Sequence, residues 1–260
     1  MVPDAYVAVA ELLADVAGAV VRPFFRTVPP ATDKADASPV TIADRTAEQV
    51  MRAVLRERLP GHGIVGEEFG TENDGAGWTW VLDPIDGTRA FITGRPLFGT
   101  LIGLLHEGRP VLGIIDQPVT GERWIGVQGR TTQFRSPLGG RAGVRDCKRL
   151  DLAELSCTSP EVFGPGEWEA FGRLRKAVRR TSWGGDCYAY GLVALGQIDI
   201  VAEPGLKPWD WVALAPVIEG AGGRMTSWDG QPLGATGDGN VVAVGDPALL
   251  EPALALLAGA

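Results

Sequence analysis

Trp78-Thr79-Trp80-Val81-Leu82-Asp83-Pro84-Ile85-Asp86-Gly87-Thr88 is the stretch on which the reading of this chain turns. Trp78 to Leu82 has the aromatic and branched apolar composition of a strand. It runs into Asp83-Pro84-Ile85-Asp86-Gly87-Thr88, where Pro84 is expected to stop it. The two aspartates stand close enough to share neighbouring cations, and hard divalent cations take their ligands from carboxylate, carbonyl and water oxygens. Gly87 permits close backbone approach, and the free N–H groups at the start of a following helix can hold a phosphate. An Asx-turn in a solvated acidic loop would use the same residues.

Working outward, Val9, Leu12, Leu13, Val16 and Val20 keep helical spacing and predict an amphipathic helix over 4–21, weakened at Arg22-Pro23 and ended by Pro29-Pro30. Residues 31–40 are polar and read as a loop. Thr41-x-x-Asp44 has the form of a helix-opening box, with Val50, Val54 and Leu55 as the buried stripe of a helix to Leu59. After a turn at Pro60–Gly63, a short strand Ile64-Val65 leads into Gly66-Glu67-Glu68. Beyond the hexapeptide, apolar runs from Leu97 to Val127, punctuated by Glu107-Gly108 and Thr120-Gly121, predict an antiparallel meander.

Residues 128–147 carry no strong pattern, and past them the rhythm changes. A strand is predicted over Leu155–Thr158, helices over Glu167–Val178 and Tyr188–Leu195, and a strand over Ile198–Val201. A helix over Trp209–Ala221 with Pro216 inside, strands near Met225 and at Val241–Val244, and a last helix from Pro247 to Leu257 complete the chain. The expectation is an N-terminal α+β lobe over 1–148 and a C-terminal α/β lobe over 149–260.

Composition narrows the chemistry. The 260 residues are 45% hydrophobic and 22% charged, which suits a folded enzyme-sized unit and excludes a disordered chain. The net charge of −8 gives no basic footprint for nucleic acid or anionic lipid. No apolar run approaches a membrane span, and the N-terminus lacks the pattern of a secretory signal. Three cysteines with no CxxC pair speak against a disulfide framework and for a reducing cytoplasm. With only two histidines, His62 and His106, catalysis has to rest on carboxylates.

Taken singly, Asp44 fits the third position of its helix, Glu67 a surface acid, and Asp210 a helix N-cap. Together, Asp44, Glu67, Asp83, Asp86 and Asp210 stand in separate contexts, each at the edge of a regular element. The segments Thr-Ile-Ala-Asp44, Gly66-Glu-Glu, Asp83-Pro-Ile-Asp-Gly-Thr88 and Pro208-Trp-Asp210 resemble the signatures of the inositol monophosphatase family, in its order and at about its spacing.

The resemblance implies a layered αβαβα sandwich, usually a homodimer, and a Mg2+-dependent phosphomonoesterase with two to three ions per subunit. It places Glu67, Asp83 and the Ile85 carbonyl on a first ion. Asp83, Asp86 and Asp210 fall on a second, and a looser third contacts Glu67. Asp44 and Thr88 would orient and deprotonate the attacking water, with Glu67 assisting. The amides of Gly87 and Thr88 would grip the phosphate, and Lys34 matches a lysine kept near it.

Trp183-Gly-Gly-Asp-Cys-Tyr-Ala-Tyr-Gly191 and Leu206-Lys-Pro-Trp-Asp210 look like the histidinol-phosphatase branch, whereas inositol-type members carry Gly-Ser-Ala-Ala in the first of these turns. Histidinol phosphate bears an ammonium and an imidazole, so acids facing the leaving group suit it. Asp186 and Glu203 are the candidates. The expected activity is hydrolysis of L-histidinol phosphate in histidine biosynthesis, in the cytoplasm, with lithium sensitivity. The alternatives are an inositol-1-phosphate or broad sugar-phosphate phosphatase and, from another class, a regulatory protein bound to transcription machinery.

Overall fold

The computed structural model describes residues 1–27, 39–234 and 237–258. Two sheets carry the architecture. The first has seven strands: β1 (Gly63–Gly66), β2 (Gly70–Glu72), β3 (Trp78–Asp86), β4 (Gly99–His106), β5 (Arg109–Gln117), β6 (Glu122–Val127) and β7 (Gln133–Arg135), in the order β2-β1-β3-β4-β5-β6-β7. Only β1 and β3 run parallel; the remainder is the expected meander. The second sheet has five: β8 (Glu154–Cys157), β9 (Arg180–Trp183), β10 (Ile200–Glu203), β11 (Arg224–Ser227) and β12 (Val241–Val244), ordered β11-β12-β10-β8-β9.

Strand alternation produces the layers. In β3, Trp80 and Leu82 face α1 (Asp4–Val21) and α2 (Pro39–Arg58), while Val81 between them faces the opposite way. Leu101 and Ile115 share that inner side and pack on α5 (Asp186–Val193) and α7 (Leu214–Gly220) through Tyr190, Val193, Val217 and Ile218. In the second sheet Val201 and Ala243 close this middle core. Ile200, Ala202, Val242 and Val244 point outward to Phe171 and Leu174 of α4 (Pro165–Ala177) and Leu257 of α8 (Leu250–Ala258). Helix pair, sheet, helix pair, sheet, helix pair is a layered αβαβα arrangement. It leaves both faces of each sheet buried, which is why the strands read as continuous apolar runs.

Gly103, Gly113 and Gly126 are cross-strand partners on β4, β5 and β6. A Cβ on Gly113 would lie 2.6 Å from the Ala213 carbonyl carbon and 2.9 Å from its Cα, with the carbonyl oxygen closer still. One on Gly103 would lie 2.6 Å from Val212 Cγ1, and one on Gly126 would overlap the Pro216–Val217 peptide. The absence of three side chains in register thus cuts a groove in which the chain from Val212 to Val217 rests directly on the sheet.

Three expectations are corrected. Pro84 does not stop β3: the strand continues to Asp86 across a register shift, with Asp83 opposite Leu101 and Asp86 opposite Gly99. The extra residue of this bulge absorbs the missing N–H, and Thr100 Oγ1 donates to the Pro84 carbonyl at 2.8 Å. The helix expected over 209–221 breaks into α6 (Pro208–Trp211) and α7, because Pro216 has no N–H for the 212 carbonyl. The strand expected over 198–201 runs from Ile200 to Glu203.

Candidate active site

Asp83 and Asp86 flank the bulge at the end of β3, and Asp210 arrives from α6, above the glycine groove. One carboxylate oxygen from each of the three lies within 4.8 Å of the others. Each holds its orientation through a backbone N–H. Asp83 Oδ1 accepts from Ile85 at 3.0 Å, Asp86 Oδ2 from Cys187 at 2.6 Å, and Asp210 Oδ2 from Lys207 at 2.7 Å. Asp210 is therefore the third residue of its helix, reaching back to the preceding turn, and not the N-cap.

Glu67 follows β1. Its N–H donates to the Leu82 carbonyl at 3.2 Å, and the residue is open to solvent, its charge acting on both Asp83 and Asp44. Asp44 sits in the second turn of α2, which begins at Pro39, two residues before the Thr41 opening that the box predicts. It is 6% exposed, and its Oδ1 has no hydrogen-bond partner among the described residues. Lys34 lies outside the described residues.

Burial and crowding set the electrostatics. Asp44 is pushed up to about 8 by burial, then by the charges of Glu67, Glu68 and Glu48. Asp210 rises to about 6, chiefly by burial. Asp83 and Asp86 rise well above the carboxylate range, first by burial, then Asp83 by the charges of Asp86, Glu67 and Asp210 and Asp86 by those of Asp210 and Asp186. Glu67 is raised by partial burial of its carboxyl and by Glu68 and Glu48. A cluster of acids that repel one another, each with an oxygen to spare, fits a hard divalent cation: the ion replaces the missing counter-charge.

Gly87, at φ 86°, turns the chain into the short helix α3 (Thr88–Ile92). Its Cβ would press on Asp186 at 3.0 Å, so the left-handed turn and the close approach both require glycine here. Thr88 is exposed, and its hydroxyl donates to the Ile85 carbonyl at 3.2 Å. On the far wall, Asp186 opens α5 with φ 43°, and Glu203 ends β10. Both line one cavity of about 140 Å³ with Asp86, Asp210, Thr158, Tyr190 and Leu206. Glu203 is 5% exposed and fixed at both oxygens: Thr158 N–H donates to Oε1 at 2.6 Å and Tyr190 O–H to Oε2 at 3.0 Å. Burial raises both acids, and at Asp186 the Thr158 hydroxyl, then Arg95 and Arg89, partly offset this.

The sequence profile of the inositol monophosphatase family matches residues 3–258. The chain belongs to the inositol monophosphatase family. Among its relatives, the chloroplastic bifunctional phosphatase IMPL2 of Arabidopsis thaliana is 47% identical over 96% of this chain and 74% of its own length. A histidinol-phosphatase of Mycobacterium tuberculosis is 42% identical over 76% of this chain and 77% of its own. An inositol monophosphatase from Zymomonas mobilis superposes with a TM-score of 0.92 at 49% identity, covering 98% of both chains. This family member is a phosphatase, and its acidic cluster, bulged strand and glycine turn are the parts such chemistry needs. Among the described residues no helix is long and apolar enough to cross a membrane. Cys147, Cys157 and Cys187 are free and buried, with Cys187 packed close to Gly99.

Sequence reasoning missed Glu48 and Arg52, which pair inside α2 beneath the Glu67 turn. Their spacing from Asp44, four and eight residues on, puts all three on one helix face, and that periodicity was the available signal.

Proposed function

We propose that this phosphatase hydrolyses L-histidinol phosphate to L-histidinol and phosphate, with Mg2+, as a step of histidine biosynthesis. The observation that carries the reading is the pairing of Asp186 and Glu203 on one cavity with Asp86 and Asp210. Two acids on the leaving-group side suit an ammonium and an imidazole, whereas a polyol calls for donors as well as acceptors. The likeness to a histidinol-phosphatase of Mycobacterium tuberculosis supports it.

Glu67, Asp83 and the Ile85 carbonyl would hold one ion and Asp83, Asp86 and Asp210 a second, with a looser third at Glu67. Bound there, Mg2+ neutralises phosphoryl charge and acidifies water. The protein's own groups do the remainder. Asp44 offers a buried acceptor without a partner among the described residues, suited to take a proton from the attacking water, and the Thr88 hydroxyl orients that water. Glu67 assists from the solvent side. The amides of Gly87 and Thr88 hold the phosphate, and Lys34 is the basic residue that the family resemblance assigns to it. Glu203, held at both oxygens, forms a fixed wall, and Asp186 is the freer contact for the cationic group. On this reading residues 1–148 carry most ion ligands and 149–260 the substrate wall. The enzyme works as a cytoplasmic homodimer inhibited by Li+.

A second reading, an inositol-1-phosphate or broad sugar-phosphate phosphatase, is favoured by the likeness to the Zymomonas mobilis enzyme. Phosphate release from L-histidinol phosphate and myo-inositol 1-phosphate, measured side by side with Mg2+, separates the two. A preference of about 100-fold in kcat/KM for histidinol phosphate, worth about 2.7 kcal/mol, is expected. Equal or reversed rates would overturn the substrate assignment.

A further inference from the structure

We propose that Glu48, ion-paired to Arg52, is a positioning residue that sets Glu67 against Asp83 and Asp44 and so tunes the affinity of the site for its cation. This rests on Glu67 being an ion ligand, as proposed above.

Glu48 is fully buried and Arg52 is 3% exposed. Arg52 Nε donates to Glu48 Oε1 at 2.7 Å, one helical turn away. The carboxylate also accepts two consecutive backbone amides from the turn after β1: Glu68 N–H to Oε2 at 2.8 Å and Phe69 N–H to Oε1 at 3.2 Å. Arg52 continues past the pair to the Gly70 carbonyl and to Glu72. Glu67 is thus clamped on both sides, by Leu82 through its own N–H and by Glu48 through the next two.

The fit leaves no slack. A Cβ on Gly66 would lie 2.7 Å from Glu48 Oε2 and nearer still to the rest of the carboxylate. Arg45 of the same helix stacks its guanidinium 4.5 Å from the Phe69 ring centroid and pairs with Glu68 at 3.4 Å. One face of α2 therefore carries Asp44 and, one turn later, the group that fixes Glu67, so a single rigid helix sets the spacing of the two acids. Glu48 is a buried acid beside an acidic cluster, yet its charge is committed to Arg52 and its oxygens to three donors, so it is not a ligand. Glutamine in its place offers one oxygen to donors that now share two and leaves the guanidinium with only the longer contact to Glu72 at 3.4 Å.

The test compares Glu48→Gln, Gly66→Ala and Glu67→Gln, with Mg2+ binding measured calorimetrically on the whole protein. Amide exchange of Glu68 and Phe69 is followed without metal. Glu48→Gln and Gly66→Ala are expected to weaken Mg2+ binding by about 10–100-fold, the usual effect of losing a group that orients a ligand. Exchange at both amides should speed up, and the KM for ester at saturating Mg2+ should move little. Wild-type Mg2+ affinity in Glu48→Gln and Gly66→Ala, beside weakened binding in Glu67→Gln, would reduce Glu48 to a structural brace and overturn the inference. Unchanged affinity in Glu67→Gln would overturn the ligand assignment of Glu67 itself, and the inference with it. If Glu48→Gln fails to fold, Gly66→Ala carries the test, since it keeps both charged side chains and acts by pushing the Glu48 carboxylate away from the turn.

Discussion

Adding one methyl group at Gly113 should damage both stability and catalysis. Its Cβ would meet Ala213 at 2.6 Å from the carbonyl carbon and 2.9 Å from Cα, inside the 3.0 Å that real Cβ atoms essentially never breach. Backbone stands on both sides, so no rotamer change relieves the overlap, and β5 and the α6–α7 chain must move apart. Overpacking costs about 1–3 kcal/mol, and a clash between two backbones belongs at the upper end. For a chain of this size that lowers Tm by roughly 6–12 °C. Asp210 lies three residues before Ala213, so the displacement also pulls it from Asp83 and Asp86. A misplacement of about an ångström can cost roughly 100-fold in rate. Calorimetric melting and phosphate release on Gly113→Ala check both numbers. Gly61→Ala is the control, with nothing within 4 Å of its Cβ and an expected change within about 0.5 kcal/mol. If Gly113→Ala melts and turns over like wild type, the groove does not position Asp210 and the reasoning fails.

Asp86→Asn should abolish most turnover at saturating Mg2+ while keeping its melting temperature, which circular dichroism beside the activity assay will show; near-normal rates would remove the two-ion assignment. Asp186→Ala should raise KM for histidinol phosphate far more than for inositol 1-phosphate, and a uniform change in both would detach Asp186 from the leaving group. The metal-free protein should lose stability as pH rises. Asp210 and Asp44, lifted by burial to about 6 and about 8, retain protons in the folded state that the unfolded chain releases near 4, so their contribution is complete below 4 and fades up to about 8. Tm in EDTA should fall across that window, and the gain on adding Mg2+ should be larger at pH 8 than at pH 5. A gain independent of pH would contradict it.

Much of the fold was legible because the central strands bury both faces: the apolar runs of the meander and of Val241–Val244 announced themselves. Asp83, Asp86 and Asp210 could be grouped from sequence because each stands within two residues of a proline or glycine, at the edge of an element, in segments that resemble the family's signatures. Strand β9 escaped notice. Arg-Thr-Ser-Trp has no alternation and is an edge strand, held by parallel pairing with β8 and an Arg180–Glu154 ion pair at 2.7 Å. The bulge at Pro84 escaped too, since proline normally marks a strand end and only the partner strand shows that pairing resumes. The commitments of Glu203 to Thr158 and Tyr190 involve partners 45 and 13 residues away, and no local spacing encodes them.

The 2.6 Å hydrogen bond from Cys187 N–H to Asp86 Oδ2, with Asp186 pressed on Gly87, has a bearing on how such enzymes change substrate. The residue proposed to choose the leaving group is covalently next to the amide that aims an ion ligand. Redesigning the Gly184–Cys187 turn for another ester therefore also retunes the cation site, and a swapped turn will need compensating changes along Asp83–Thr88. Specificity and metal demand are inherited together in this scaffold, so variants selected for a new substrate should be screened across Mg2+ concentrations from the first round.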